Sequence, residues 1–450
     1  MNLRTLYEIA IADLRHSFRL LLKKRALTFV AVLTLALGIG ANTAIFGLIE
    51  SVLLKPLPYH EPDSLVLFQK ISSSRGTGLN VSPLDFQDLT SQSDVFASTS
   101  AFTTETAVLT GKGEPERLTV SYTTSKFFDV LKIRPLLGRL FTSHEAKPGA
   151  GQSVVLGYNL WKRRFGSDPN VAGTSIVLNG RNATILGVAP RSFDFPEKTE
   201  MWKPLIFPPE ELDPSQRGAR WISVISRLKG DSSLEQAQTI FQTLSTQFQK
   251  LYPRTHEGLR FSLISLHEHL VKDVRAALIV LLVAVVLVLL IACANVANLL
   301  LAHASTREGE IAIRLSMGAG RARLLQQFLT ESLLLSFLSA IVGLIFHVWI
   351  SELLWKLGPV DLSAFQVHTL HFKIFAFNFG VAFVIGVLVG LLPALQASSL
   401  QIAPKLSMGG KGAIGGRKPW AKILVSCEVA LTLVLLTAAG LLIRSFLLLY

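Results

Sequence analysis

The residues with the most chemistry on offer lie between Ser305 and Ser336, STREGEIAIRLSMGAGRARLLQQFLTESLLLS. Within this stretch Arg307–Met317 can form a short charged helix. Glu310 and Arg314 stand four residues apart, the spacing of an ion pair on one helical face, and Ile311 and Leu315 share another face. Gly318-Ala319-Gly320 breaks that helix, and a basic segment with Arg321 and Arg323 leads into a long apolar run. The chemistry that suits this pattern is mechanical. A short charged helix tied to two apolar helices can be pushed by a soluble partner, and the apolar helices must follow.

Other reactive groupings fall short of a site. Gly409-Gly410-Lys411-Gly412 resembles a phosphate-binding loop only by eye, because Gly follows the lysine where a hydroxyl would hold Mg²⁺. It reads as a flexible basic loop, and no G-x-x-x-x-G-K-[ST] pattern occurs in the chain. His267-Glu268-His269 and His368-x-x-His371 each offer two histidines, fewer than the three or four ligands of a zinc site. No nucleophile-elbow or zinc-protease motif appears. Cys293 and Cys427 both sit in apolar runs, so the polar region between residues 55 and 275 has no disulfide framework. The expectation is therefore no catalytic residue, no metal and no cofactor. Asn42, Asn295, Asn298, Glu331 and Glu428 lie in or near apolar runs, where an ionisable group is a functional candidate. Glu331 and Glu428 fall about one to two turns from one end, close enough to be solvated or to pair with Arg321, Arg323 or Lys422. A structural role is the ordinary reading for both.

The elements that must position these residues are membrane spans. Half of the 450 residues are hydrophobic and 17% are charged, against about 25% charged in soluble domains. A span needs about 20 mainly apolar residues, and residues 26–54, 276–302, 324–350, 374–397 and 423–447 supply five. The first is longer than the hydrophobic part of a signal peptide and is expected to remain as a span.

Charge sets the orientation. Arg4, Arg15, Arg19, Lys23, Lys24 and Arg25 precede the first span. Arg307, Arg314, Arg321 and Arg323 mark the 303–323 loop, and Lys405, Lys411, Arg417, Lys418 and Lys422 mark the 398–422 loop. The 351–373 loop carries only Lys356 and Lys373. The basic segments belong on the cytoplasmic side, which places residues 55–275 outside. The net charge of +13 is then largely a topology signal. Its natural partner is anionic lipid and not nucleic acid. Residues 1–25 carry Leu6, Ile9, Ala10, Leu14, Phe18, Leu21 and Leu22 at helical spacing between basic residues, as an amphipathic helix on the inner leaflet would.

Residues 55–275 are expected to form an α+β domain. Ser175–Leu178, Asn179-Gly180 and Asn182–Val188 make a hairpin signal, since Asn and Gly tolerate the positive φ of a tight turn. Val154–Leu156 followed by Asn159–Phe165 reads as a strand into a short helix. Ser232 and Glu235 have capping-box spacing. They would open a helix with Leu234, Ala237, Phe241, Leu244, Phe248 and Leu251 on one face, ended by Pro253. That face packs on a sheet in the ordinary reading, or against a partner chain in the other.

The 307–319 stretch resembles the R-x-x-E-I-x-x-x-x-x-x-G-A segment of MacB/FtsX-type ABC permeases, including lipoprotein-release subunits. Asn80–Phe86, Gly113–Arg117, Phe127–Leu131, Arg134–Arg139, Leu160–Gly166 and Gly187–Pro190 look like the MacB-type periplasmic core. The resemblance covers essentially the whole chain. It is nearest to a subgroup of acidobacterial-type permeases in which the four-span-plus-ectodomain unit is duplicated, this chain matching the N-terminal half.

The resemblance implies an integral membrane α-helical protein of about five spans with an α+β MacB-like periplasmic core domain, in a bacterial inner membrane. It implies a cytoplasmic ABC ATPase subunit as partner, a second permease unit, and mechanotransmission to the periplasmic side. Coupling would fall on Arg307, Glu308, Glu310, Ile311, Arg314, Met317 and Gly318. Unlike MacB proper, this sequence shows no ATPase domain, so nucleotide hydrolysis is expected in trans. The fifth span would open a second unit, so the chain is expected to be a fragment or a shortened gene product. An exporter permease, a non-transporting FtsX-like regulator and an orphan anchor without an ATPase are the competing functions.

Overall fold

The computed structural model describes residues 14–306, 321–357, 371–398 and 419–449, apart from 16, 73–75, 93, 112, 148, 192 and 197. Lys55–Asp273 form one compact unit, and the helices before and after it in sequence form a second.

The first unit is built on a mixed sheet of eleven strands. They are β1 (Leu65–Ser72), β2 (Gly76–Gly78), β3 (Phe96–Thr110), β4 (Glu116–Thr123), β5 (Leu137–Gly138), β6 (Ser153–Leu156), β7 (Ser175–Leu178), β8 (Arg181–Val188), β9 (Met201–Pro204), β10 (Ser223–Leu228) and β11 (Leu259–Ser265). The main order is β11-β1-β10-β3-β4-β9-β6-β8-β5, with β2 paired to β1 and β7 paired to β3 and β8. The pairs β4–β9 and β6–β8 are parallel and the others antiparallel. The β7–β8 hairpin turns where the sequence placed it, with positive φ at Asn179 (49°) and Gly180 (75°).

Side chains alternate across a strand, so the sheet feeds cores on both faces. Val66, Phe68, Val224 and Phe261 meet Phe241 and Phe248 in one core. On the opposite face Leu65, Leu67, Phe102 and Trp202 meet Phe127 and Phe128 in a second. A third gathers Val120, Val154, Ile185 and Met201 against Leu160 and Trp161. Along the chain α1 (Arg25–Ile49) belongs to the second unit, and the helices of the first are α2 (Pro83–Ser91), α3 (Phe127–Leu131), α4 (Tyr158–Phe165), α5 (Leu234–Leu251) and α6 (Pro253–His256).

Helix α5 buries Ala237, Phe241, Leu244 and Phe248 on the sheet, which is the packed-helix reading of that stripe. Leu251, on the same stripe in sequence, is 65% exposed because it stands in the last turn. The cap differs by one residue from the sequence expectation. Ser233, not Ser232, is the N-cap, and it exchanges hydrogen bonds with Gln236, not Glu235. A Ser-Ser pair allows either register, and a glutamine at N3 returns the hydrogen bond as well as a glutamate does.

The second unit is helical: α1, then a π-helical turn Glu50–Leu54, α7 (Leu266–Thr306), α8 (Arg321–Leu357), α9 (Phe372–Ser398) and α10 (Pro419–Leu449). Five stretches are long and apolar enough to cross a membrane: Arg25–Leu54, Val274–His303, Leu325–Leu353, Phe372–Leu391 and Lys422–Gly440. Residues 1–13 of the expected amphipathic helix lie outside the described residues. From residue 17 the chain is helical, and Leu21 is buried against the bundle while Phe18 and Leu22 are exposed.

Ala31, Leu35, Ile39, Leu335, Ala340, Ala382, Ile385 and Val389 make the bundle core, joined by Leu289, Val296 and Ala297 of α7. Burial is uneven. It covers 56% of the first span but 11% of the second and none of the fifth. Exposed apolar side chains such as Val283, Val286, Leu433 and Leu436 therefore line α7 and α10. Such surface would be a liability in water and is ordinary against lipid.

Candidate functional site

The coupling residues read from the sequence, Arg307, Glu308, Glu310, Ile311, Arg314, Met317 and Gly318, lie outside the described residues. What the structure supplies is the machinery on either side: α7 ends at Thr306, and α8 begins at Arg321. Helix α8 packs on both α1 and α9.

Small residues bring these helices together. A Cβ on Gly40 would stand 2.7 Å from the Gly343 carbonyl oxygen and 2.9 Å from Cβ of Phe346. A Cβ on Gly386 would stand 2.7 Å from Cδ2 of Leu333, and one on Gly390 would collide with the Ser332 hydroxyl. Close backbone approach of this kind is how helices gain dispersion contact in lipid, where burial of apolar surface contributes little.

Polar ties run across the same contacts. Asn42 Nδ2 donates to the Val285 carbonyl at 2.9 Å, linking α1 to α7. Thr43 Oγ1 donates to Asn378 Oδ1 at 3.0 Å, and Asn378 Nδ2 donates to the Ala340 carbonyl at 3.2 Å. This chain of bonds joins α1, α9 and α8. Ser332 Oγ donates to the Gly386 carbonyl at 2.7 Å. At the end of the first span Lys373 Nζ lies 3.3 Å from Oε1 of buried Glu50, in the π-helical turn.

Of the intramembrane residues singled out in the sequence, Asn42 is thus an interhelical tie. Glu331 is buried and lines a small pocket with Lys24 and His303. Lys24 and His303 are basic groups of that lining, and Arg323 donates to Gln326. Glu428 shares a half-buried stripe with Leu424, Leu431 and Leu435. Asn295 is half-buried, and the buried Oδ1 of Asn298 makes no hydrogen bond among the described residues. Thr43, Ser332, Asn378 and the Glu50–Lys373 pair were not singled out. A lone asparagine in the apolar run of α9 was the available signal, since such residues bond across helices.

The strand-rich unit holds a second polar construction, on the Asn80–Phe86 motif. Ser82 caps α2 by accepting from the Asp85 amide. The fully buried Asp85 carboxylate then meets Arg217 Nη1 at 3.0 Å, His256 Nε2 at 3.2 Å and Arg220 Nε at 3.6 Å. Arg217 also pairs with Asp88 at 2.8 Å and lies 3.8 Å over the Tyr252 ring. One carboxylate thereby ties α2 to the 214–220 segment and to α6.

Glu145, eleven residues after Arg134 in the Arg134–Arg139 motif region, closes a smaller clamp. It accepts from Arg139 Nη2 and from the amide and hydroxyl of Thr142. The Arg139 bond, supported by Thr142, holds its carboxyl down at about 2. The unfolded chain, with an ordinary carboxylate near ~4.3, binds more protons in that interval. Stability from this group is therefore complete above the unfolded pKa and is lost as pH falls toward the folded one. Glu145→Gln is expected to cost about 1–2 kcal/mol at pH 7 and much less near pH 2. Chemical denaturation at the two pH values checks this; an equal cost at both would show that the charge is not the source.

The sequence profile of the MacB-like periplasmic core domain matches residues 28–244, and that of the FtsX-like permease C-terminal region matches residues 282–402. The chain is 25% identical over 376 residues to the macrolide export ATP-binding/permease protein MacB of Wolinella succinogenes, covering 82% of this chain and 55% of that protein. It is 22% identical over 411 residues to the MacB protein of Neisseria meningitidis, covering 88% and 60%. It is 26% identical over 292 residues to the probable syringafactin export ATP-binding/permease protein SyfD of Pseudomonas syringae, covering 61% and 40%. The chain spans 55% to 60% of the length of the first two. Among solved structures, the periplasmic region of MacB from Actinobacillus actinomycetemcomitans matches 51% of this chain and 97% of that one, at 14% identity and a TM-score of 0.36.

Proposed function

We propose, on the premise that this chain joins a MacB-like periplasmic core domain to an FtsX-like permease region, that it is the permease subunit of an ABC-type exporter or mechanotransmission complex. A separate cytoplasmic ATPase docks on Arg307–Gly318, a second permease unit completes the assembly, and the N-terminus lies in the cytoplasm with the large domain in the periplasm. The observation that supports this reading is the position of α8. It follows the proposed docking segment directly and packs on α1, which leads into the large domain, and on α9.

A membrane pull-down of the chain against the cell's ABC ATPases, beside a variant with residues 307–318 scrambled, tests the assignment. Binding that the scramble abolishes is the expected result; an ATPase held equally by both would place docking elsewhere. Within the segment, Glu310→Lys reverses one charge on the docking helix and leaves the spans untouched. Like-charge contacts at an interface cost several kcal/mol, so stimulation of the partner ATPase should fall by about tenfold or more while membrane insertion is unchanged. Full stimulation in this variant would refute the coupling role of Glu310.

A further inference from the structure

One strip of the sheet lies between two cores on the same face, its Tyr122 ring packed partly against both. Thr103, Tyr122 and Lys203 stand in register on β3, β4 and β9, so their side chains share that face. On one side of the strip, Ala101 and Ile222 enter the core under α5. On the other, Val120 and Met201 enter the core under α4. The strip itself is half-buried, with exposed Glu105 and Arg181 at its rim.

Its charges do not balance. Lys203 Nζ donates to a neutral acceptor, Gln152 Oε1, at 3.2 Å and lies 5.2 Å from the centroid of the Tyr122 ring. No carboxylate stands within ion-pair distance of it among the described residues. Burial lowers its pKa, and Arg181 lowers it further, against the pull of Glu105. Lys203 is thus partly dry, with one further cation and one carboxylate at the exposed rim, leaving about one positive charge over.

We propose that this strip is a binding site for an organic carboxylate, with Lys203 and Arg181 as its charge partners and the Tyr122 ring as its wall. One excess positive charge suits a monoanion better than a phosphate dianion. The proposal goes beyond the permease reading and does not depend on it, since a variant that loses ATPase coupling keeps the strip intact.

Calorimetric titration of the full chain in lipid nanodiscs, corrected with empty discs, tests it with octanoate, octanol and inorganic phosphate. Saturable octanoate binding is expected, weakened about tenfold or more by Lys203→Gln and by Arg181→Gln, the loss of one charge-assisted hydrogen bond. Lys203→Arg should keep most of it. Arg181 is exposed, so its variant tests charge without disturbing a core. No saturable octanoate binding, octanol binding as tight as octanoate, phosphate binding as tight as octanoate, or indifference to both glutamine variants would each overturn the proposal.

Discussion

Asp85→Ala is expected to destabilise the strand-rich domain by about 3–5 kcal/mol, the usual cost of removing one member of a buried ion pair. The magnitude comes from what is left behind. Arg217 and Arg220 have side chains only 10% and 13% exposed, and His256 is 1% exposed. Without Asp85, Arg217 keeps Asp88 and the face of Tyr252, but its charge and that of Arg220 lose their shared buried counterion. Asp85→Asn keeps the size of the side chain and one acceptor, so it should cost about half as much. Urea unfolding of residues 55–275, followed by circular dichroism, measures both. A loss of ~1 kcal/mol or less for the alanine variant would mean that water can replace the carboxylate, and that Asp85 is not what holds α2, the 214–220 segment and α6 together.

That clamp also shows what a sequence can and cannot disclose. The Asn80–Phe86 motif was recognisable, and the helix start at Ser82-Pro83 follows from local rules, because an N-cap serine and a proline at N1 act within a few residues. The partners of Asp85 lie 132 and 171 residues away, at Arg217 and His256. No local spacing connects them. The β7–β8 hairpin and the buried stripe of α5 were legible for the same reason that the Asp85 partners were not: turn chemistry and helical period are written within one element. The membrane spans were legible from length and hydropathy. Their mutual packing was not, because Thr43 and Asn378 become informative only when α1 and α9 lie side by side. Asn42 was singled out only as a polar residue in a span; its acceptor, Val285, has no side-chain signature at all, since the bond goes to the backbone.

Gly40→Val is expected to be the most damaging single change in the helical unit. Its Cβ would stand 2.7 Å from the Gly343 carbonyl oxygen, and Gly343 answers with a Cβ position only 3.1 Å from the Ala36 carbonyl oxygen. The obstacle on each side is backbone, which cannot rotate away as a side chain does. The two helices must separate, and the Thr43–Asn378 and Asn378–Ala340 bonds, which link α1, α9 and α8, must stretch with them. Overpacking costs about 1–3 kcal/mol in soluble cores; here lost polar ties add to it. Gly440→Val is the control, because nothing stands within 4 Å of its Cβ position. Detergent-induced unfolding should separate the two variants clearly, and Gly343→Ala, with a few tenths of an ångström to find, should fall between them. The functional consequence follows from connectivity. Helix α8 follows the proposed docking segment and α1 continues into the large domain, so the Gly40–Gly343 crossing lies on one helical route between them, beside the direct route along α7. Gly40→Val should therefore lower partner ATPase stimulation along with stability, even at temperatures where the helices remain folded. Stimulation that survives in full, with the crossing forced apart, would place the transmission route through α7 instead.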